Sequence, residues 1–275
     1  MFISGSIGIT ILKKNDKVII VLADDHSNSS YCDNNEQNHK NIKEYLEQKL
    51  KAGDQVLLEE VPRDGFELEE LWPESPHTQE LKNYFLSESK ITGIDIRPYI
   101  VPFSHDIIET NKKLESFPMK KYIKSIDNFL NLKGKFYKKV ILKNIENLKI
   151  KNSGLGKNLK IIIERFQKIK DKVDKEDKNI GYYFKNEYQF LENFGKLADE
   201  IMEFNTLLSA FTSLKKSVIH AGLFHSHNII KMLINHYDFK IIYKNGVNEF
   251  KPEIIAKKNK SCIYLPGIEM FGFKD

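Results

Sequence analysis

"KSVIHAGLFHSHNIIKMLINHYDFKIIYKNG", residues 216–246, is the stretch on which the fold turns. A short apolar run, "SVIHAG", gives way to apolar residues at helical spacing, with Ile229, Ile230, Leu233 and Ile234 expected inward, and then to a second run, "FKIIY". That change of period predicts strand, helix, strand. Ser226 reads as the helix N-cap, because its hydroxyl can accept from an amide of the first turn. Three of the eight histidines, His220, His225 and His227, fall within eight positions where the first strand meets the helix.

Working outward, the same alternation recurs near the amino terminus. "FISGSIGITIL", the turn "KKNDK" and "VIIVLA" predict a β-hairpin whose second strand is buried on both faces. Ile42, Tyr45, Leu46 and Leu50 then share one helical face that Gly53 ends, and "DQVLLEEVP" gives a short buried strand closed by Pro62. The next segment predicts a helix in "HTQELKNYFLSES" and a third strand in "KITGIDIRP", stopped by Pro98. From 104 to 216 the pattern is helical and Lys-rich, as in "YIKSIDNFLNL" and "FLENFGKLADEIMEFNTLLSAF". "SCIYLPG" adds an edge strand near the carboxyl terminus. The expected fold class is therefore α/β: a mainly parallel sheet flanked by helices, with a large helical insertion. Residues 1–103 and 217–275 form the core, and 104–216 the insertion.

Composition narrows the function classes. The 275 residues are 41% hydrophobic, enough to fill a sizeable core. No apolar run reaches the roughly 18 residues that span a bilayer, and the first residues lack a signal-peptide pattern, so a soluble, intracellular protein is expected. Cys32 and Cys262 show no C-x-x-C spacing and are expected to be ordinary thiols in a reducing compartment. The net charge of +5 is carried almost wholly by lysine, with Arg63, Arg97 and Arg165 the arginines. Charge of that kind reads as solvated helix faces and solubility, not as a nucleic-acid surface. Neither a G-x-x-x-x-G-K-[ST] loop nor a G-x-G-x-x-G fingerprint is present. "SHD" at Ser104–Asp106 reads as a helix start, because sequence neighbours do not make a triad.

Ligands of open α/β sheets gather at the carboxyl ends of the strands. There the sequence places Asp24-Asp25-His26, Glu59-Glu60, Asp95-x-Arg97 and His220-x-Gly222-x-x-His225. Burying so many ionisable groups is costly unless they pair or bind a metal. Two imidazoles and one carboxylate, His26, Glu59 and His225, make the ligand set of a catalytic divalent ion, expected as Mn²⁺ or Zn²⁺, with a position left for water. Arg97 could steady an anion or a developing oxyanion. Asp24 and Asp95 are candidate supports for a histidine tautomer or the arginine fork, and Gly222 permits the turn that returns His225 over the sheet. Each has a plainer structural role as well. Asp24 and Asp25 can cap a turn, Arg97 can pair with Asp95 or Glu59, His220 can hydrogen-bond within its strand, and His227 can face water.

"VLADDHSN", "VLLEEVPR", "GIDIRP" and "HAGLFHSHNIIKML", in this order, resemble the TraB/PrgY and Tiki-type proteins, whose superfamily includes erythromycin-esterase and ChaN-like groups. The resemblance spans about Val18 to Pro98 and Val218 to Tyr243. Gly222-Leu223-Phe224-His225 matches one G-x-x-H element; in the other, Ala23 replaces the glycine and His26 carries over. Glu59 matches the family glutamate, and Asp95-Ile96-Arg97-Pro98 resembles a D-R-P run with one residue inserted. The resemblance implies an α/β scaffold with helical insertions. It also implies metal-dependent proteolysis as in Tiki-type members, metal-free esterase chemistry with a histidine base, or ligand binding as in the haem-binding ChaN-like group.

The resulting expectation is a hydrolase that directs water at a peptide or small ester carbonyl with metal assistance, through His26, Glu59, Arg97 and His225. The alternatives are an esterase-like site in which His26 is the base and Glu59 orients it, and a non-catalytic binding module on the same scaffold. The sequence sets no oligomeric state.

Overall fold

Val18-Ile19-Ile20-Val21 is β-branched at every position, the composition that best fits a pleated surface buried on both faces. All four residues are buried, within a strand that runs from Lys17 to Asp24. The computed structural model describes residues 1–25, 32, 39–49, 54–61, 91–130, 154–212, 216–251 and 262–265. Its described strands, in chain order, are β1 (Phe2–Ser4), β2 (Gly8–Lys14), β3 (Lys17–Asp24), β4 (His39–Asn41), β5 (Gln55–Leu58), β6 (Ile91–Gly93), β7 (Lys216–Gly222), β8 (Lys240–Gly246) and β9 (Cys262–Tyr264). The chain divides into two compact units. One takes Met1–Glu60, Ser75–Gly93 and Ser213–Asp275; the other takes Val61–Glu74 and Ile94–Thr212.

The first unit holds a six-stranded sheet of order β6-β5-β7-β3-β2-β8, in which β6, β5, β7 and β3 pair in parallel and β2 and β8 are antiparallel additions. The fold is thus mixed α/β, with a mostly parallel sheet flanked by helices. Helix α1 (Ile42–Lys49) supplies Ile42, Tyr45 and Leu46 to a core shared with Val18, Ile20, Leu22, Val56, Leu58 and Val218. Since side chains alternate along a strand, Ile19, Val21, Ala23, Ile219 and Ala221 belong to the opposite face. The long helix after β7, Leu223–Tyr237, packs on β3 and β7 and places Leu223 against Ala23.

The β2–β3 hairpin forms as expected around Asn15-Asp16, Asn15 taking the left-handed conformation at φ 52°. The strand before it does not extend to Phe2. Gly5 adopts φ 95° and turns the chain, so β1 joins a separate three-stranded sheet of order β4-β1-β9. "SCIYLPG" does supply a strand, β9, but to that smaller sheet. Closer to β2, an ideal Cβ on Gly8 would sit 1.8 Å from the Val247 carbonyl oxygen. Two backbones meet there with no room between them. Gly8→Ala is therefore expected to cost about 3 kcal/mol; denaturant unfolding with the midpoint unchanged would refute that close approach.

The second unit is helical. After the short α2 (Arg97–Ile100) come α3 (Met119–Leu130), α4 (Gly154–Glu176), α5 (Ile180–Asn186) and α6 (Tyr188–Thr212). Leu191, Phe194, Leu197, Ile201, Phe204 and Leu208 of α6 are all buried, so the expected amphipathic stripe widens into a helix enclosed over much of its length. Asn179 caps α5 through Oδ1, which accepts from Tyr182 N at 2.9 Å.

Four local expectations are corrected. The third strand ends at Gly93, and Pro98 lies in the first turn of α2, where its missing N–H removes no helical bond. The helix after β7 starts at Leu223 with Gly222 as N-cap; Ser226 lies inside it and donates its hydroxyl proton to Ala221 O at 2.8 Å. Ile229, Ile230 and Leu233 are buried as expected, whereas Ile234 is 38% exposed, because it falls beyond the stripe that meets the sheet. Cys32 and Cys262 are joined in a disulfide, with Cα atoms 5.0 Å apart. They are not separate thiols, and the inference of a reducing compartment that rested on them falls with that. Leu50, Gly53 and the helix expected in "HTQELKNYFLSES" lie outside the described residues.

Candidate active site

Strands β5, β7 and β3 lie side by side and point the same way, so their carboxyl ends meet at one edge. Leu58 and Leu22 both pair with His220, and Asp24 pairs with Gly222. Glu59 is the first residue past β5. Its backbone N–H donates to His220 O at 3.0 Å, which prolongs the β5–β7 pairing by one residue and fixes where its side chain starts.

Glu59 is buried, and its two carboxylate oxygens have different surroundings. Oε2 accepts the Gly222 N–H at 2.6 Å, a short charge-assisted bond at the N-cap of the helix that follows β7. A carboxylate is favoured there by the partial positive charge of the helix start. Oε1 faces Nε2 of His225 at 3.6 Å, with the two side chains 5% and 8% exposed. Helix geometry brings His225 there: with β7 running directly into the helix at Leu223, the third helical residue lies over the sheet end.

A separation of 3.6 Å exceeds a hydrogen bond. Two ligands of one tetrahedral ion, each bound at about 2.0–2.1 Å, lie about 3.4 Å apart. Glu59 Oε1 and His225 Nε2 therefore fit as two donors to a single divalent ion. Among the described residues no group of three or more His, Cys, Asp or Glu side chains is placed to hold one. The third donor expected, His26, lies outside the described residues, two positions beyond Asp24.

Asp24 is 1% exposed at the last position of β3, beside Gly222. The end of β3 is clasped from the other side by Ile7 N and the Ser6 hydroxyl, which both donate to Ala23 O, at 2.8 and 2.7 Å. His220 is fully buried, and its Nε2 donates to Gly5 O at 3.2 Å. Strand alternation puts His220 on the face of Leu22 and Leu58, away from the face of Ala221, so it supports the fold beneath the strand end. His227, one turn into the helix, has its imidazole pKa lowered by burial and then by Lys231.

Asp95 and Arg97 belong to the helical unit and pair with each other. Arg97 Nε and Nη2 donate to the two Asp95 oxygens at 2.8 and 2.9 Å, and Nη1 donates to Asp199 Oδ1 of α6 at 2.9 Å. The guanidinium thus has two carboxylates around it; the expected pairing with Asp95 is present, but it ties helix α2 to helix α6 and not one strand to another. Asp199 was not legible beforehand, being one acid among several along a 25-residue helix. Two rings beside the candidate pair were also missed. Phe224 stands edge-on to His225 at 5.2 Å between centroids, and Phe250, 38% exposed, stands edge-on to Phe224 at 5.2 Å. The apolar x positions of Gly222-x-x-His225 were the available signal.

Comparison with protein-family models, with curated proteins and with solved structures finds no match. No described helix is long and apolar enough to cross a membrane.

Proposed function

We propose that the protein is a hydrolase that directs water at a peptide or small ester carbonyl, and that Glu59 and His225 form the centre of its site. The observation that carries this reading is the buried carboxylate–imidazole pair at 3.6 Å, set at the carboxyl ends of three adjacent parallel strands. The Gly222 amide takes one oxygen of the carboxylate, and the other faces the His225 imidazole. The resemblance to TraB and Tiki-type proteins points the same way.

His26, Glu59 and His225 would hold a divalent ion such as Mn²⁺ or Zn²⁺, which when bound polarises a carbonyl and makes water acidic enough to deprotonate near neutral pH. Where no ion is bound, the Glu59 carboxylate 3.6 Å from Nε2 balances the charge of a protonated His225 imidazole. The Gly222 N–H fixes the carboxylate so that it need not reorganise during the reaction. His225, held rigidly in the helix, can carry a proton between water and leaving group where no ion occupies it.

Metal content, measured by plasma mass spectrometry on protein purified without chelator or affinity tag, tests the assignment. Near-stoichiometric Mn²⁺ or Zn²⁺ is expected in the wild type and is lost in both His26→Ala and His225→Ala. Absence of metal after reconstitution, together with ester hydrolysis that survives chelation, would replace this reading with the metal-free esterase. Absence of both metal and turnover would leave a binding module.

A further inference from the structure

Strand β8 runs in the same direction as β3: Gly246 pairs with Gly8, and Gly8 with Ala23, so β8 ends at the edge of the sheet where β3 ends. The chain beyond β8 is fastened there. Val247 N–H donates to Ile7 O at 2.8 Å. Asn248 is buried; it accepts from the Thr10 hydroxyl at 2.9 Å and donates to Asn245 O and Gly246 O at 2.6 and 3.0 Å. Its backbone is hydrogen-bonded in turn to the imidazole of His227, three residues after Phe224, so the loop and the start of the helix after β7 are held to each other. Phe250 follows two residues later and completes a file of rings. His225, Phe224 and Phe250 stand each edge-on to the next, with 5.2 Å between neighbouring centroids. The imidazole end of the file is buried and the Phe250 end is 38% exposed. A single exposed Phe is ordinary on a protein surface. This one differs in following a fastened loop, in a file whose other end is the imidazole of the candidate site.

We propose that Phe224 and Phe250 are specificity-determining residues, an apolar subsite that selects carbonyl substrates whose acyl chain ends in an aromatic ring. The inference rests on the hydrolase reading for its chemistry, whereas binding to the subsite can be measured apart from turnover. A substrate ring set against Phe250 continues the edge-to-face arrangement that aromatic rings favour and covers apolar surface that Phe250 otherwise leaves to water. Its acyl chain then runs back along Phe224 and brings the carbonyl to His225. Apolar walls beside a few placed polar groups are the usual make-up of a small-molecule site. Here the walls are the two rings and the polar groups are Glu59 and His225.

The test uses the full chain, purified without chelator, and two pairs of probes that differ only in a terminal phenyl ring. Ligand-observed NMR titration compares 4-phenylbutanamide with butanamide, and acid release at constant pH compares ethyl 4-phenylbutanoate with ethyl butanoate. The wild type is expected to bind the phenyl amide about tenfold more tightly, and to hydrolyse the phenyl ester with a kcat/KM about tenfold higher. Phe250→Ala should bring both ratios to about one, and Phe250→Tyr, which keeps the ring, should preserve them within about twofold. A binding preference without hydrolysis of either ester leaves the subsite standing and counts against the hydrolase reading alone. Equal affinity of the wild type for the two amides, or a preference that Phe250→Ala leaves unchanged, overturns the subsite whether or not the esters are turned over.

Discussion

Glu59→Gln is expected to reduce hydrolysis by roughly 10³-fold or more while leaving the chain folded. The substitution is nearly isosteric. Its amide oxygen can still accept the Gly222 N–H, so the join between β7 and the helix keeps its hydrogen bond, now without charge. The stability cost should be about 1 kcal/mol, the difference between a charged and a neutral acceptor. What disappears is the negative charge that faces His225 Nε2 at 3.6 Å, and with it both an anionic donor and the balance for a protonated imidazole. Turnover on peptide and ester substrates, read beside denaturant unfolding, separates the two effects. Retained turnover would remove Glu59 from the chemistry. A stability loss of several kcal/mol would show that the carboxylate serves chiefly as the helix cap.

Replacing Cys32 and Cys262 by serine is expected to lower stability by roughly 2–5 kcal/mol. The bond joins residues 230 positions apart, so it closes one of the largest loops the chain allows and withholds that freedom from the unfolded state. Unfolding curves with and without a dithiol reductant measure the loss, and alkylation without reductant counts the thiols. Rapid alkylation of both cysteines in the unreduced native protein would contradict the bond.

Much of the sheet was legible because its strands are short apolar runs closed by Gly, Pro or charge, and burial on both faces leaves few other readings for "VIIVLA" or "VLLEE". The site was legible in the same way: a polar group directly after such a run is at a strand end whatever the strand order. Glu59, Gly222 and His225 could therefore be named before their contacts were seen. Strand order itself could not be read, since no local pattern says that residues 216–222 pair with both 17–24 and 55–58. The disulfide was hidden for a similar reason: Cys262 comes near Cys32 through the sheet that β9 builds with β1 and β4, a long-range event with no spacing signature. The burial of Ile234 was overestimated because helical period identifies a face, while the width of the buried stripe depends on what packs against it.

The place of β7 between β3 and β5 has a consequence for how the protein is made. As the chain leaves the ribosome, β3 and β5 are complete long before the strand that separates them, with the whole of Ile94–Thr212 synthesised in between. Until residue 222 is available, each presents a row of unmet backbone donors and acceptors, the template on which strands pair wrongly or chains aggregate. Closing so distant a pairing is slow. Glu59 can meet Gly222 and His225 only after this last central strand has docked, so the candidate site becomes competent late, in the same event that heals the gap in the sheet.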